Sequence, residues 1–292
     1  MPNRPAFNPL VDALGVEHAP AGAPCRIVSL VPSITELLFD LGVADRLVGR
    51  TGFCVHPRPA IDALPKVGGT KDVNLERLRE LAPTHVIVNV DENEASLVEA
   101  LREFVPFIVV THPRVPEDNL HLYRMMGALF GATAAAERLC VALQRELVTC
   151  RASTWHPERV LYLVWREPWM TVASDTYIAG MLDLVGWEVP HAAGGFAGAA
   201  RYPTIELDSE VAGVDRVLLS TEPYLFNEAD RSELAARFAS TPIDIIDAEM
   251  TSWYGARAIR GLQYMRALRQ ASLGADSSPA RSLRCVAHVH EG

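Results

Sequence analysis

A helix-then-strand unit with an acidic first turn occurs twice in this chain. Asn74-Leu75-Glu76-Arg77-Leu78-Arg79-Glu80-Leu81-Ala82-Pro83 runs into the apolar segment His85–Val90. Further on, Ile205-Glu206-Leu207-Asp208-Ser209-Glu210-Val211-Ala212 runs into Arg216–Ser220. Glu76 stands ten residues before Val86, and Asp208 nine before Val217. A repeat of this kind implies two similar α/β lobes, each presenting a carboxylate at a helix start.

The rest of the pattern agrees. Strand-like runs at Arg26–Val31, Val48–Arg50, His85–Val90 and Phe107–Val110 alternate with helical segments. That alternation predicts parallel sheet built from βα units. Pro32 breaks the first strand, Ser33 is the expected cap of the next helix and Gly42 its stop. Thr51–Thr70, rich in proline and glycine, predicts a long ordered loop. Thr133–Arg151 keeps helical spacing at Leu139, Leu143 and Leu147 without a breaker. At 1.5 Å per residue it would be a strut roughly 28 Å long. A second series follows, with strands expected at Val160–Val164, Thr171–Ala173, Arg216–Ser220 and Ile243–Ile246. The domain reading is a flexible arm over 1–24, an α/β lobe over 25–131 and a connecting helix over 132–154. A second α/β lobe over 155–272 and a disordered tail over 273–292 complete it.

Charge and composition exclude several roles. Against 27 basic residues stand 36 acidic ones, a net charge of −9, and no Lys/Arg cluster tracks phosphates, so no nucleic-acid partner is expected. Five cysteines, Cys25, Cys54, Cys140, Cys150 and Cys285, show no framework spacing and fit a reducing compartment. Asp12, Glu17 and His18 interrupt any signal-peptide core, so the chain as written reads as cytoplasmic, or periplasmic if its start lies upstream. No run of 18 apolar residues is present, and no membrane span is expected.

Parallel α/β sheets carry their functional loops at the carboxyl ends of strands. Those loops hold Phe53, Cys54 and His56, then Asp91, Glu92 and His112. In the second half they hold Trp165 and Trp169, then Tyr202, Tyr224, and finally Trp253 and Tyr254. Indole and phenol rings suit a bulky organic ligand, and the same rings also suit packing along a seam between lobes. Cys54-x-His56 suggests a metal, but two ligands are too few unless Glu92, His112 or His191 joins them. The Cys285–His290 stretch falls in the tail and is read as chance. A nucleophile elbow, a P-loop and a G-x-G-x-x-G turn are all missing. An N-cap role accounts for Ser33, so no enzyme and no required cofactor are expected.

Arg26-Ile27-Val28-Ser29-Leu30-Val31-Pro32-Ser33-Ile34-Thr35-Glu36-Leu37-Leu38 resembles the opening of the substrate-binding proteins for vitamin B12 and iron-siderophore import. The resemblance continues through Val67-Gly68-Gly69-Thr70, Asn74-Leu75-Glu76-Arg77-Leu78 and Met250-Thr251-Ser252-Trp253-Tyr254, covering about residues 25–270. It implies two Rossmann-like lobes joined by a single long helix, the class III architecture, with the ligand held between them. It also implies that Glu76 and Asp208 dock on arginines of an ABC transporter permease, Asp208 being one methylene shorter than the usual glutamate. Thr70 and Asn89 stand where vitamin B12-binding members carry aromatics, while Phe53, Tyr202 and Tyr254 keep aromatic character. The expected activity is non-catalytic binding of cobalamin, another corrinoid or a related metal-organic chelate. The alternative is an intracellular metal or metal-cofactor carrier that uses Cys54 and His56.

Overall fold

Parallel strands cannot be joined by tight turns, so each pair needs a crossover, and this chain supplies helices for it. The computed structural model describes residues 8–190 and 200–276. The chain divides into two units. The first comprises Met1–Arg145 with Trp253–Ala258, the second Glu146–Ser252 with Ile259–Gly292.

In the first unit β1 (Ile27–Ser29), α1 (Pro32–Asp40), β2 (Leu47–Arg50) and α2 (Leu75–Glu80) come first. They are followed by β3 (His85–Asn89), α3 (Ala95–Leu101), β4 (Phe107–Thr111) and α4 (Asp118–Leu129). The strands lie in the order β2-β1-β3-β4, and every pairing is parallel. β1 and β3 are buried along their whole length, which fits their apolar stretches Ile27-Val28 and Val86-Ile87-Val88. Gly49 in β2 is set by the close approach of α2. A Cβ there would stand 2.6 Å from Leu81 Cδ1 and 3.2 Å from Val28 Cγ2.

Two expectations for this unit need correction. α1 starts at Pro32 with Val31 as N-cap and no side-chain cap bond, so Ser33 lies inside the helix. The fixed φ of proline suits the first helical position. Residues 8–24 of the expected arm are not loose. Asp12, 6% exposed, accepts from the backbone N–H groups of Leu14 (2.9 Å), Val16 (3.0 Å) and Val110 (3.2 Å). His18 Nε2 lies 3.1 Å from the same carboxylate, and Ala13 N–H donates to the Val110 carbonyl at 3.0 Å. The segment thus covers the open edge of β4, a row of backbone groups that would otherwise be unpaired.

α5 (Thr133–Ala152) opens in the first unit and ends in the second. The second unit continues with β5 (Glu158–Leu163), α6 (Tyr177–Asp183), β6 (Trp187–Glu188), α7 (Leu207–Val211) and β7 (Arg216–Ser220). Then come α8 (Glu228–Arg237), β8 (Ile243–Ile246), α9 (Ala248–Ser252) and α10 (Arg257–Asp276). Strand order is β6-β5-β7-β8, again all parallel. Second, first, third, fourth is therefore the order in both sheets, the fold-level counterpart of the sequence repeat.

The strand expected at Thr171–Ala173 does not form. Thr171 spends its N–H on the Pro203 carbonyl (3.1 Å) and its hydroxyl on the Tyr162 carbonyl (2.7 Å), so a buried loop satisfies it. Trp187–Glu188 is the edge strand instead. α10 runs to Asp276, so helix replaces the first residues of the expected tail. His191, Cys285, His288 and His290 lie outside the described residues. No helix among the described residues is long and apolar enough to cross a membrane.

Candidate functional site

All four strands of the first unit end at one edge of its sheet, and the loops from that edge bring several candidates together. At the end of β2, Arg50 is buried and staples the loop that follows. Its guanidinium donates to the carbonyls of Ile61 (3.0 Å) and Cys54 (2.9 Å). Phe53 is 62% exposed. A Cβ on Gly69 would lie 3.4 Å from its ring, so Phe53 leans over the Gly68-Gly69 turn. Asn93 ties that turn to the β3 loop by donating to the Thr70 carbonyl at 2.8 Å.

Cys54 is fully buried, with its sulfur 3.1 Å from Thr35 Oγ1 and 3.2 Å from Thr51 Oγ1. Burial pushes its thiol pKa up, and the two hydroxyls only partly oppose this. It therefore stays a protonated packing residue. Among the described residues no group of three or more His, Cys, Asp and Glu is placed to hold a metal ion. The metal-carrier alternative loses its central ligand. His56 instead sets its ring edge against Trp253, centroids 5.6 Å apart.

Asn89 is buried, and its side chain is spent inside the β3 turn. It donates to Thr111 Oγ1 (3.2 Å) and accepts from the Asp91 N–H (2.8 Å). Trp253 and Tyr254 belong to the returning segment Trp253–Ala258. Tyr254 donates its hydroxyl to the Glu92 carboxylate. Burial first, and then the Glu92 charge, hold its pKa well above the usual 10. The backbone of this segment is pinned as well, since Gly255 donates to Asn119 Oδ1 (2.6 Å) and accepts from the Tyr123 hydroxyl (2.8 Å).

The second unit gathers its aromatics in the same way. Trp165, after β5, is 39% exposed and meets Tyr224 edge-on at 5.8 Å. Tyr224 tilts against Phe226 (4.6 Å), and Phe226 stacks parallel to Trp169 (6.1 Å). Trp169 and Tyr224 pack on the core, so Trp165 is the outermost ring of this group. Arg166 fixes its loop, bonding Asp230 (2.6 Å) and Glu233 (2.9 Å) from α8 and lying 5.4 Å over Trp169. Tyr202 is 37% exposed on the loop before α7. Arg166 and Phe226 lie on strand-end loops and are found by loop position; Asp230, on α8, is not, and nothing local in the sequence signals it.

The acidic pair is placed alike in both units. Asn74 caps α2 by accepting from the Arg77 N–H (2.9 Å), and Glu206 holds the N-cap position of α7. Glu76 and Asp208 are thus each the second residue of their helix, exposed, where a negative charge favours the dipole. They differ in one respect. Asp208 is engaged by Arg237 at 2.6 Å, whereas Glu76 has no ion pair among the described residues.

Residues 27–242 match the family model described as periplasmic binding protein. The chain is 24% identical to a vitamin B12-binding protein of Vibrio parahaemolyticus over 198 residues, 67% of this chain and 70% of the relative. Among solved structures, the periplasmic vitamin B12-binding protein BtuF of Vibrio cholerae superposes with a TM-score of 0.71 at 18% identity. That match covers 85% of this chain and 97% of BtuF. The periplasmic heme-binding protein HutB of Vibrio cholerae gives 0.65 at 23% identity, covering 84% and 98%. Both structures are described as periplasmic, which does not support the cytoplasmic expectation.

Proposed function

Since the chain belongs to the periplasmic binding protein family and binds its substrate without converting it, we propose that its ligand is cobalamin or a closely related metal-organic chelate. The observation that carries this reading is the exposure of large rings on carboxyl-end loops, Phe53 at 62% and Trp165 at 39%. Rings left in water at such loops are suited to a bulky, partly apolar ligand. In the first unit the candidate ligand contacts are Phe53, His56, Thr70, Trp253 and Tyr254; in the second unit they are Trp165, Tyr202 and Tyr224. Asn89, Cys54 and Trp169 support those loops from within. The vitamin B12-binding relatives favour a corrinoid over other chelates.

Titration with cyanocobalamin, followed by tryptophan quenching, tests the ligand class. Replacing Trp253 by alanine is expected to weaken that binding by about 1–3 kcal/mol, roughly five- to 150-fold. Unchanged affinity with lowered thermal stability would reassign the ring to packing.

The same reading takes the chain to the periplasmic side and gives it an ABC transporter permease as partner, docked through Glu76 and Asp208. An exposed pair such as Asp208–Arg237 is worth only about 0–1 kcal/mol, so a partner arginine can displace Arg237. Replacing Glu76 and Asp208 together by lysine is expected to abolish ligand uptake by cells while leaving the cyanocobalamin Kd unchanged. Normal uptake by that variant would remove the docking role.

A further inference from the structure

The indole of Trp253 is held by a buried ion pair that reaches across most of the sequence. Arg257 places its guanidinium 4.8 Å over the Trp253 ring. It also donates two hydrogen bonds, each 2.8 Å, to the two carboxylate oxygens of Glu36 in α1. Both side chains of the pair are nearly buried, 6% and 8% exposed. Fork-to-fork geometry of this kind leaves the guanidinium little freedom, so the ring beneath it is fixed in turn. His56 packs against the same ring, the two ring planes 72° apart.

A buried ion pair of this kind is a poor source of stability, because desolvating both charges consumes most of their attraction. An apolar pair of similar volume would pack as well. What such a pair would not supply is a cation fixed over an aromatic ring. We propose that Glu36 is a positioning residue for ligand binding, acting through Arg257 to set the orientation of Trp253. The proposal rests on the reading that Trp253 touches the ligand, but its first test does not.

That test uses the full chain without ligand. The near-UV circular dichroism of Trp253 is obtained as the difference between the wild-type chain and its Trp253→Phe variant. In Glu36→Gln this difference signal is expected to collapse while the far-UV spectrum is unchanged. Because a lone buried guanidinium could unfold that variant, Glu36→Gln with Arg257→Met is the second form, with neither charge left buried. It should fold and still lack the Trp253 signal. An undiminished Trp253 signal in the folded double variant overturns the proposal.

The second arm is cyanocobalamin binding in a double-mutant cycle. Glu36→Gln with Arg257→Met is expected to lower affinity roughly ten- to a hundredfold in the wild-type background and to add nothing to Trp253→Ala. A full additional loss on top of Trp253→Ala would show that the pair acts elsewhere and would overturn the positioning role. If Trp253→Ala alone binds like wild type, the ligand-contact reading fails, while the signal of the first arm still decides whether Glu36 orients the ring.

Discussion

Replacing Arg269 by alanine is expected to destabilise the second unit by about 3–5 kcal/mol, the combined cost of a lost ion pair, two unpaired carbonyls and a cavity. Arg269 is 2% exposed although it lies near the end of α10. Its guanidinium bonds the Glu158 carboxylate and donates to the carbonyls of His156 (2.7 Å) and Val185 (3.3 Å). It also lies 5.6 Å over the Trp187 ring. Glu158 is shared with Arg216 (2.8 Å) and with the Trp187 indole N–H (2.9 Å), so β5, β6, β7 and α10 meet at one carboxylate. Alanine would leave two carbonyls unpaired and a cavity beside Trp187. Four of the five tryptophans, Trp155, Trp165, Trp169 and Trp187, lie in this unit, so denaturant unfolding followed by tryptophan emission reads it directly. Arg269→Met combined with Glu158→Gln leaves no unpaired charge, because Arg216 keeps its ion pair with Asp244, and is expected to cost less than the single alanine substitution. The reverse order would show that packing, and not charge pairing, dominates the site.

The first unit is expected to lose about 3 kcal/mol on acidification through a single histidine. His85 opens β3, is 3% exposed, and stacks on Phe107 (4.9 Å) with Phe130 at its edge. Burial, with a smaller contribution from the nearby charge of His18, lowers its pKa from 6.5 to about 4. The unfolded chain therefore binds one more proton than the folded chain between those two values, so stability rises with pH there. The contribution is complete above pH 6.5 and is lost as the pH falls towards 4. At about 1.36 kcal/mol per pKa unit, this shift corresponds to about 3 kcal/mol. Carboxylates also respond to acid, so the check is a difference. Unfolding followed by far-UV circular dichroism at pH 4.5 and 7 should show a smaller acid loss for His85→Phe than for wild type. Equal losses would mean that His85 does not titrate on unfolding. His85 sits at the amino end of its strand, opposite the loops that carry the candidate site, so ligand contacts should be spared.

The two sheets were legible because their signals are local. An acidic helix start, a leucine period and an apolar run lie within about twenty residues of one another in each copy, and crossover geometry does the rest. The placement of Glu76 and Asp208 at matching helix positions followed from the same short motif. What escaped depends on partners far along the chain. Residues 8–24 read as a loose arm because Asp12 finds its anchor at Val110, 98 residues away. Glu36 and Arg257 are 221 residues apart, and nothing in either neighbourhood announces the other. The return of Trp253–Ala258 to the first unit was equally silent, since it is made by Asn119, Tyr123 and Glu92 gripping a short irregular segment. Cys54 and Asn89 were misjudged for a related reason. Loop position suggested access, whereas hydroxyls and amides at the strand ends enclose them.

Equilibrium dialysis of the purified chain against cyanocobalamin, with the recovered ligand analysed by mass, decides whether the chain binds a corrinoid without converting it. One site per chain is expected, with a Kd at or below about 1 µM, on the order of 8 kcal/mol of binding, and the ligand is expected back unchanged. Haemin in parallel dialysis should bind more weakly. Failure of both chelates to saturate a site, or recovery of a chemically altered ligand, would show that the chain is not a chelate-binding protein of this kind.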